Sequence, residues 1–405
     1  MPPRAKLRYA NDSRPEGAVE RIILLTGKGG VGKTSLAAAH AWASAAEGKP
    51  TLLASMDAAH NLSDLFGTPP APTPREVAPN LHICEIDAVR VREDDYAHVV
   101  DAVASALVGV ERGPDDPVLD VPGLDPLFYL LKVDELVRSG RYARVILDLA
   151  PTGETLALLQ MPELLRWWME RLFPLERVAV RVLAPVSERL WSVRLPDARA
   201  MDDIERLYLQ LRSITDLLKD ADLTSVRLVT QAERMVVEET KRSYLALHLY
   251  GYAVDHVFVN GLYPAEVGDG FFGAWIDAQA AHLADLEAAF GHVPRTRIPR
   301  FASDIDGPEH VARLAGLLGS DAFGVRPTRR EAWAKTKAGG VLTLPLPHAT
   351  RDDLTLTRAG HDLALRVGGV QRNIPLPASL LDADVSSARL DAGVLTITFT
   401  HEEES

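Results

Sequence analysis

Cysteine is nearly absent from the 405-residue sequence, where Cys84 stands alone. A single thiol excludes an intrachain disulfide and any Cys-x-x-Cys zinc or redox motif, and it fits a reducing compartment. Also missing is any block of Lys and Arg large enough to track a phosphate backbone. With 44 basic against 56 acidic residues the net charge is −12, which argues against nucleic acid as a main partner. No apolar run reaches the roughly 18 residues of a membrane-spanning helix. The greasiest stretch, 156–173, is broken by Gln160, Glu163, Arg166, Glu170 and Arg171. Residues 1–20 lack the apolar core of a secretory signal and read as a flexible tail. These absences predict a cytoplasmic protein without stable membrane insertion.

What is present is ordinary for a globular chain, 47% hydrophobic and 25% charged, with room for two to four domains. Short apolar runs at 21–26, 51–56, 81–86, 143–149, 226–230, 254–259 and 292–298 alternate with longer helical stretches. Strands alternating with helices predict an α/β fold with a mostly parallel sheet covered on both faces. Between about 91 and 222 the rhythm is diluted by helical pattern, and Ile204, Leu207, Leu209, Leu211, Ile214, Leu217 and Leu218 recur near a period of 3.6. That predicts a helical subdomain inserted in a sheet domain spanning 21–318. Residues 319–338 read as a linker. Beyond it, alternation in Val341-Leu342-Thr343-Leu344 and Val394-Leu395-Thr396-Ile397-Thr398-Phe399 predicts half-buried antiparallel strands, a small β-sandwich over 339–400 followed by a tail at 401–405.

After the first strand stands Gly27-Lys28-Gly29-Gly30-Val31-Gly32-Lys33-Thr34, followed by Ser35 and a helix-forming run. This is G-x-x-x-x-G-K-T in strand–loop–helix context, the loop that cradles nucleotide phosphates. Its glycines let backbone N–H groups turn toward phosphate oxygens, the helix N-terminus adds partial positive charge, Lys33 reaches the β- and γ-phosphates, and the Thr34 hydroxyl ligates magnesium. ATP or ADP with Mg²⁺ is the cofactor this motif calls for; neither zinc nor an iron–sulfur cluster is expected with one cysteine.

The early lysine, Lys28, makes the loop similar to those of the deviant-Walker NTPases: nitrogenase iron proteins, MinD and ParA types, and the ArsA/GET ATPases. That resemblance implies that Lys28 reaches across a dimer interface to the partner's nucleotide, a cation supplied in trans. The segment Asp57-Ala58-Ala59-His60-Asn61 is similar to the Asp-Pro-Ala-His-Ser switch of the ArsA/GET family, with Ala58 and Asn61 as departures. There Asp57 takes the position of the carboxylate that orients the attacking water. Asp148-Leu149-Ala150-Pro151-Thr152-Gly153-Glu154-Thr155-Leu156 resembles the family's second switch, Leu149 and Glu154 standing where Thr and His are usual. The resemblance implies that Asp148 holds magnesium through water. It also implies that Glu233, Asn260 and the run Pro299-Arg300-Phe301 form the adenosine side, although Asp304 and Asp306 make that last loop unusually acidic. At the C-terminus, Ala388-Arg389-Leu390-Asp391-Ala392-Gly393-Val394-Leu395 is similar to the signature of α-crystallin (small heat-shock) domains.

The family resemblance offers several functions. The favoured one is a homodimeric ATPase that binds or delivers hydrophobic protein segments, tail-anchored membrane proteins among them. Two segments with wide apolar faces suit a groove for such helices: Leu156, Leu158, Leu159, Met161, Leu164, Leu165, Trp167, Trp168, Met169, Leu172 and Phe173 in one, and 122–131 in the other. Ordinary core packing explains the same stripes. An arsenite-efflux ATPase is the first alternative, opposed by the want of three thiolates. A MinD/ParA-like switch is the second, opposed by the lack of a C-terminal amphipathic membrane helix. The C-terminal β-domain reads equally as a holdase module, a dimerisation patch or a lid.

Overall fold

The computed structural model describes residues 18–57, 61–97, 125–172, 198–267, 270–319, 322–326, 328 and 330–401. For 162, 164–172 and 198–205 only the backbone is described. Eight strands form one sheet: β1 (Arg21–Thr26), β2 (Thr51–Ser55), β3 (Arg75–Ala78), β4 (Leu81–Glu85), β5 (Arg144–Asp148), β6 (Thr224–Thr230), β7 (Val254–Leu262) and β8 (Arg295–Pro299). Their order is β3-β4-β2-β5-β1-β6-β7-β8. Every pairing is parallel except that of β3 with β4. β1, Arg-Ile-Ile-Leu-Leu-Thr, is buried along its whole length at the centre, as a strand apolar on both faces must be. β3, Arg-Glu-Val-Ala, escapes the apolar-run criterion because it is a polar, largely exposed edge strand.

Nine helices are described: α1 (Lys33–Ala46), α2 (Asn61–Phe66), α3 (Ala88–Asp95), α4 (Asp125–Arg138), α5 (Thr152–Leu172), α6 (Ala198–Lys219), α7 (Arg234–Leu249), α8 (Gly273–Ala289) and α9 (Gly307–Ala315). None is long and apolar enough to cross a membrane. α1, α2 and α9 cover one face of the sheet, packing Leu36, Leu62 and Leu314 on Ile23, Leu25 and Ile146. On the other face, residues of α3 to α8 join Ile22, Leu24, Val145 and Leu147 in a second core. The region expected to be an inserted helical subdomain is thus, in its described parts, the helical layer of the sheet itself, and the central strand β5 runs through it. Leu158, Leu159 and Met161 of α5 and Leu127, Phe128, Leu130 and Leu131 of α4 are buried in that core. Core packing, not a groove, accounts for them. Leu156 is partly buried against the same core, and the side chains from Leu164 to Phe173, like residues 122–124, lie outside the described residues.

The C-terminal unit is all antiparallel: a four-stranded sheet in the order β14-β15-β10-β9 and a three-stranded sheet, β11-β12-β13. The strands are β9 (Ala332–Thr336), β10 (Gly339–Pro345), β11 (Leu354–Ala359), β12 (Asp362–Val367), β13 (Val370–Pro375), β14 (Ala383–Asp391) and β15 (Val394–His401). Leu342, Leu344, Leu363, Leu365, Ile397 and Phe399 fill the space between the sheets. β9 lies inside the stretch expected to be linker. It is an exposed edge whose Trp333 packs its ring on Phe399, centroids 5.8 Å apart, so little of its sequence shows an apolar face.

Candidate nucleotide site

β1 ends at Thr26 in the middle of the sheet, and the chain turns over its C-terminal edge before entering α1. At Gly27 a Cβ would lie 2.1 Å from the Val229 carbonyl oxygen of β6, and at Gly32, where φ is 94°, 2.3 Å from Asn260 Nδ2 of β7. Only glycine permits approaches that close. Gly29 and Gly30 are exposed, whereas Val31 is buried in the same core as Leu36 and holds the loop to the body. Gly32 is the N-cap of α1, and no side chain caps the helix there. Its first turn, which includes Thr34 and Ser35, is the kind of uncapped N-terminus that accepts a phosphate. Asn260 Nδ2 donates to the Val31 carbonyl oxygen at 2.8 Å, so this side chain braces the loop from β7.

Asp148 ends β5, the immediate neighbour of β1, and Asp57 follows β2 on the far side of β5. Because β5 is interposed between β1 and β2, their ends frame a crevice of the kind that binds ligands in open α/β sheets. Thr34 Oγ1 donates to Asp148 Oδ2 at 2.7 Å. Asp148 is 1% exposed, and its Oδ1 is buried with no hydrogen-bond partner. Burial pushes this carboxyl up to about 6, partly offset by the Thr34 bond and by Lys33, while Asp57 adds repulsion. An orphaned carboxylate oxygen beside a hydroxyl and a phosphate loop is an all-oxygen donor set suited to Mg²⁺. Among the described residues no group of three or more His, Cys, Asp or Glu is arranged around a metal position, as a site completed by phosphate and water does not require one. Lys33 is buried, its Nζ donating to the Lys28 carbonyl oxygen at 3.3 Å. Asp57 is half-buried, with its backbone N–H donating to Ser55 Oγ at 3.2 Å.

A cavity of about 300 Å³ opens beside Lys28, lined among others by Glu233, Arg234, Tyr263, Trp275 and Arg300. Glu233 and Arg300 therefore meet Lys28 across one depression. Phe301 does not join them. It packs against the core on the α1 and α9 face, with the Arg313 guanidinium 4.9 Å from its ring centroid. The backbone carries these two consecutive side chains to different surroundings, which removes Phe301 from the residues lining this cavity. Pro299 ends β8, paired with Leu262.

Two features were missed by reading motifs alone. Glu85, at the end of β4, accepts from the Ser63 N–H at 2.9 Å, from Ser63 Oγ at 2.6 Å and from the Ala71 N–H. It ties down α2, the helix that follows the Asp57 switch; a charged residue closing an otherwise apolar strand was the signal available. Tyr263 and Gln279 exchange hydrogen bonds through the Tyr263 backbone at 2.8 and 3.2 Å, and no motif foretold that pairing.

A phosphate loop at the centre of a mostly parallel sheet, with a buried carboxylate at the end of the adjacent strand, defines a P-loop nucleotide hydrolase. Residues 20–320 match the family model described as anion-transporting ATPase, and residues 337–399 match an HSP20-like domain found in ArsA. The chain belongs to the ArsA ATPase family and carries that family's HSP20-like domain. It is 30% identical over 392 residues to a putative arsenical pump-driving ATPase of Aquifex aeolicus, covering 93% of this chain and 99% of that protein. A second such ATPase, from Chlorobaculum tepidum, is 31% identical over 95% of this chain and 97% of its own length. The ATPase get3 of Aspergillus terreus is 30% identical over 74% of this chain and 90% of its own.

Proposed function

We propose that the chain acts as a homodimer that uses ATP binding and hydrolysis to hold and hand over hydrophobic protein segments, tail-anchored membrane proteins among them. The observation that carries this reading is the surface around the Lys28 cavity. Met235 is 73% exposed and Phe271 79%, with Phe272 and Trp275 also open to solvent. Tyr263 joins them into one patch, its ring centroid 5.4 Å from that of Phe272 and 6.5 Å from that of Trp275. Clustered aromatic and Met side chains on an exposed face are the composition of a protein–protein contact. A second P-loop domain seated there brings its nucleotide toward Lys28, the role that the resemblance gives this lysine. The resemblance to the GET branch supplies the client class.

In this reading the loop amides and Lys33 hold the phosphates. Thr34 and Asp148 would hold magnesium, which when bound neutralises charge on the phosphate oxygens. Asp57 orients the attacking water, and Lys28 places positive charge on the partner's transferring phosphate. An Asp57→Asn protein is expected to bind ATP and stall before hydrolysis. Captured from its own cytosol with ATP and Mg²⁺, it should enrich proteins with a single hydrophobic helix relative to a Lys33→Ala control. Recovery of the protein alone, or of one integral pump subunit, would sink the client reading.

The names of the two bacterial relatives favour a second reading, an ATPase that drives metalloid efflux. Cys84 bears on it directly: it is fully buried, burial pushes its thiol up to about 12, and Sγ lies 3.6 Å from the Pro72 carbonyl oxygen. A protonated, enclosed thiol is a poor ligand for a soft metalloid. Arsenite is therefore expected to leave the ATPase rate unchanged. A dose-dependent stimulation that survives Cys84→Ala would overturn the proposal and favour the pump.

A further inference from the structure

The HSP20-like domain is built into the ATPase body rather than hung beside it. Leu249, the last residue of α7, is fully buried among Leu342, Leu344 and Ile374 of that domain, with Leu245 packed alongside. Next to it lies a four-member charge cluster that draws on both parts of the chain. Arg372 of β13, 7% exposed, donates through Nε to Glu163 Oε1 of α5 at 3.2 Å. Through Nη1 it donates to the Leu249 carbonyl oxygen at 2.7 Å and to Glu331 Oε2 at 2.6 Å. Lys219, at the end of α6, donates to the same Glu163 oxygen at 3.2 Å. Two cations meet two carboxylates, so the cluster is closed and neutral.

The helices gripped there are those whose other ends border the nucleotide site. α5 begins at Thr152, in the loop that leaves Asp148. Thr155 Oγ1 donates to the Ala150 carbonyl oxygen at 2.6 Å, and Thr26 Oγ1, at the foot of the phosphate loop, donates to Thr155 Oγ1 at 3.1 Å. Glu163 lies eight residues further along the same helix, about 12 Å at 1.5 Å per residue. α7 begins with Arg234 and Met235 on the Lys28 cavity and ends in the Leu249 carbonyl that Arg372 holds. One guanidinium on the appended domain therefore holds the middle of α5 and the far end of α7, whose near ends carry the Asp148 loop and the wall beside Lys28. A planar fork of five donors suits that task, since it can serve three acceptors at once. Tyr250 Oη, from just beyond α7, also crosses the interface, donating to the Gln371 carbonyl oxygen at 2.9 Å.

We infer that Arg372 is a positioning residue through which the HSP20-like domain sets α5 and α7, and with them the geometry of ATP hydrolysis. The domain thus contributes to the ATPase cycle whether or not it also meets a client. Because α5 runs as one helix from Thr152 through Pro162 to Glu163, a small shift at Glu163 is carried to the Asp148 loop, and misplacement of reacting groups lowers turnover by up to about a hundred-fold. Nucleotide affinity rests on the phosphate loop itself, which β1 and α1 carry.

The test uses the full chain and follows kcat and KM for ATP together with amide hydrogen exchange across residues 152–163. Glu163→Gln and Arg372→Met are each expected to lower kcat at least about ten-fold, with KM for ATP moving less than about two-fold. Exchange in the first turns of α5 should quicken in both. Arg372→Lys should recover part of the lost kcat, and Tyr250→Phe, which loosens the same interface without touching Glu163, should keep the parental rate. If Arg372→Met does not fold, Glu163→Gln decides, because it leaves Arg372 bonded to Glu331 and Leu249. A parental kcat in Glu163→Gln overturns the inference. So does a loss of kcat in Tyr250→Phe equal to that in Glu163→Gln, since docking of the domain as such would then be responsible.

Discussion

Replacing Asp148 by Asn is expected to stabilise the nucleotide-free protein while removing its ATPase activity. The carboxylate is buried, one of its oxygens has no partner, and burial raises it to about 6. The sign follows from a raised folded-state value. Above pH 6 the group is charged in the folded state at a cost; that cost fades as pH falls through 6 and is gone below the ordinary carboxylate range. A displacement of about two units corresponds to roughly 3 kcal/mol. Asn removes the charge and still accepts from Thr34 Oγ1. The urea midpoint of the apo variant should therefore exceed the parent's at pH 7.5, and the difference should shrink by pH 5. Hydrolysis should fall by at least about a hundred-fold, because a neutral amide cannot offset charge on a divalent cation. An apo Asp148→Asn protein no more stable than its parent at pH 7.5 would contradict the strain assigned here.

The largest loss of stability is expected from Asp255→Ala, far from the nucleotide. Asp255 lies on β7 and is the shared counterion of two buried arginines, Arg21 of β1 at 2.9 Å and Arg227 of β6 at 3.2 Å. Arg21 also donates to Ser225 Oγ at 2.7 Å and to the Leu223 carbonyl oxygen at 3.0 Å. Even with its counterion, burial draws the Arg21 guanidinium down to about 10. Removing the carboxylate takes a shared counterion from two buried cations, and breaking such a cluster costs about 3–5 kcal/mol. The denaturation midpoint should fall accordingly, and the double variant Asp255→Ala/Arg227→Met should recover part of the loss. An unfolding free energy within about 1 kcal/mol of the parent in Asp255→Ala would show that the cluster relaxes without its acid.

The phosphate loop was legible because its chemistry is local. Eight consecutive residues contain the glycines, the lysines and the threonine, and the flanking strand and helix announce themselves by apolar runs and helix formers. Asp148 and Asp57 were legible for a related reason: in a parallel α/β sheet every strand delivers its C-terminal residue to the same edge, so a carboxylate closing an apolar run has few places to be. The strands β3 and β9 escaped because edge strands need no apolar face, and Ala332-Trp333-Ala334-Lys335 offers only one large hydrophobe. Arg300 and Phe301 follow one another in the chain, yet Arg300 lines the cavity beside Lys28 and Phe301 packs on the α1 and α9 face, a separation no motif shows.

The amino-acid sequence alone determined the α/β class, the phosphate-loop motif with Thr34 and the strand-end carboxylate Asp148, and the presence of a second, antiparallel unit. Each is written in residues close together or in the period of a single element. Tertiary structure decided which apolar stripes are core, that Asn260 braces the loop at Val31, and that Arg372 reaches Glu163 across 209 positions of chain. It also gave two arginines one aspartate, 234 positions from the first and 28 from the second. Such contacts depend on strand order and helix docking, and those are set by how all the apolar faces pack at once.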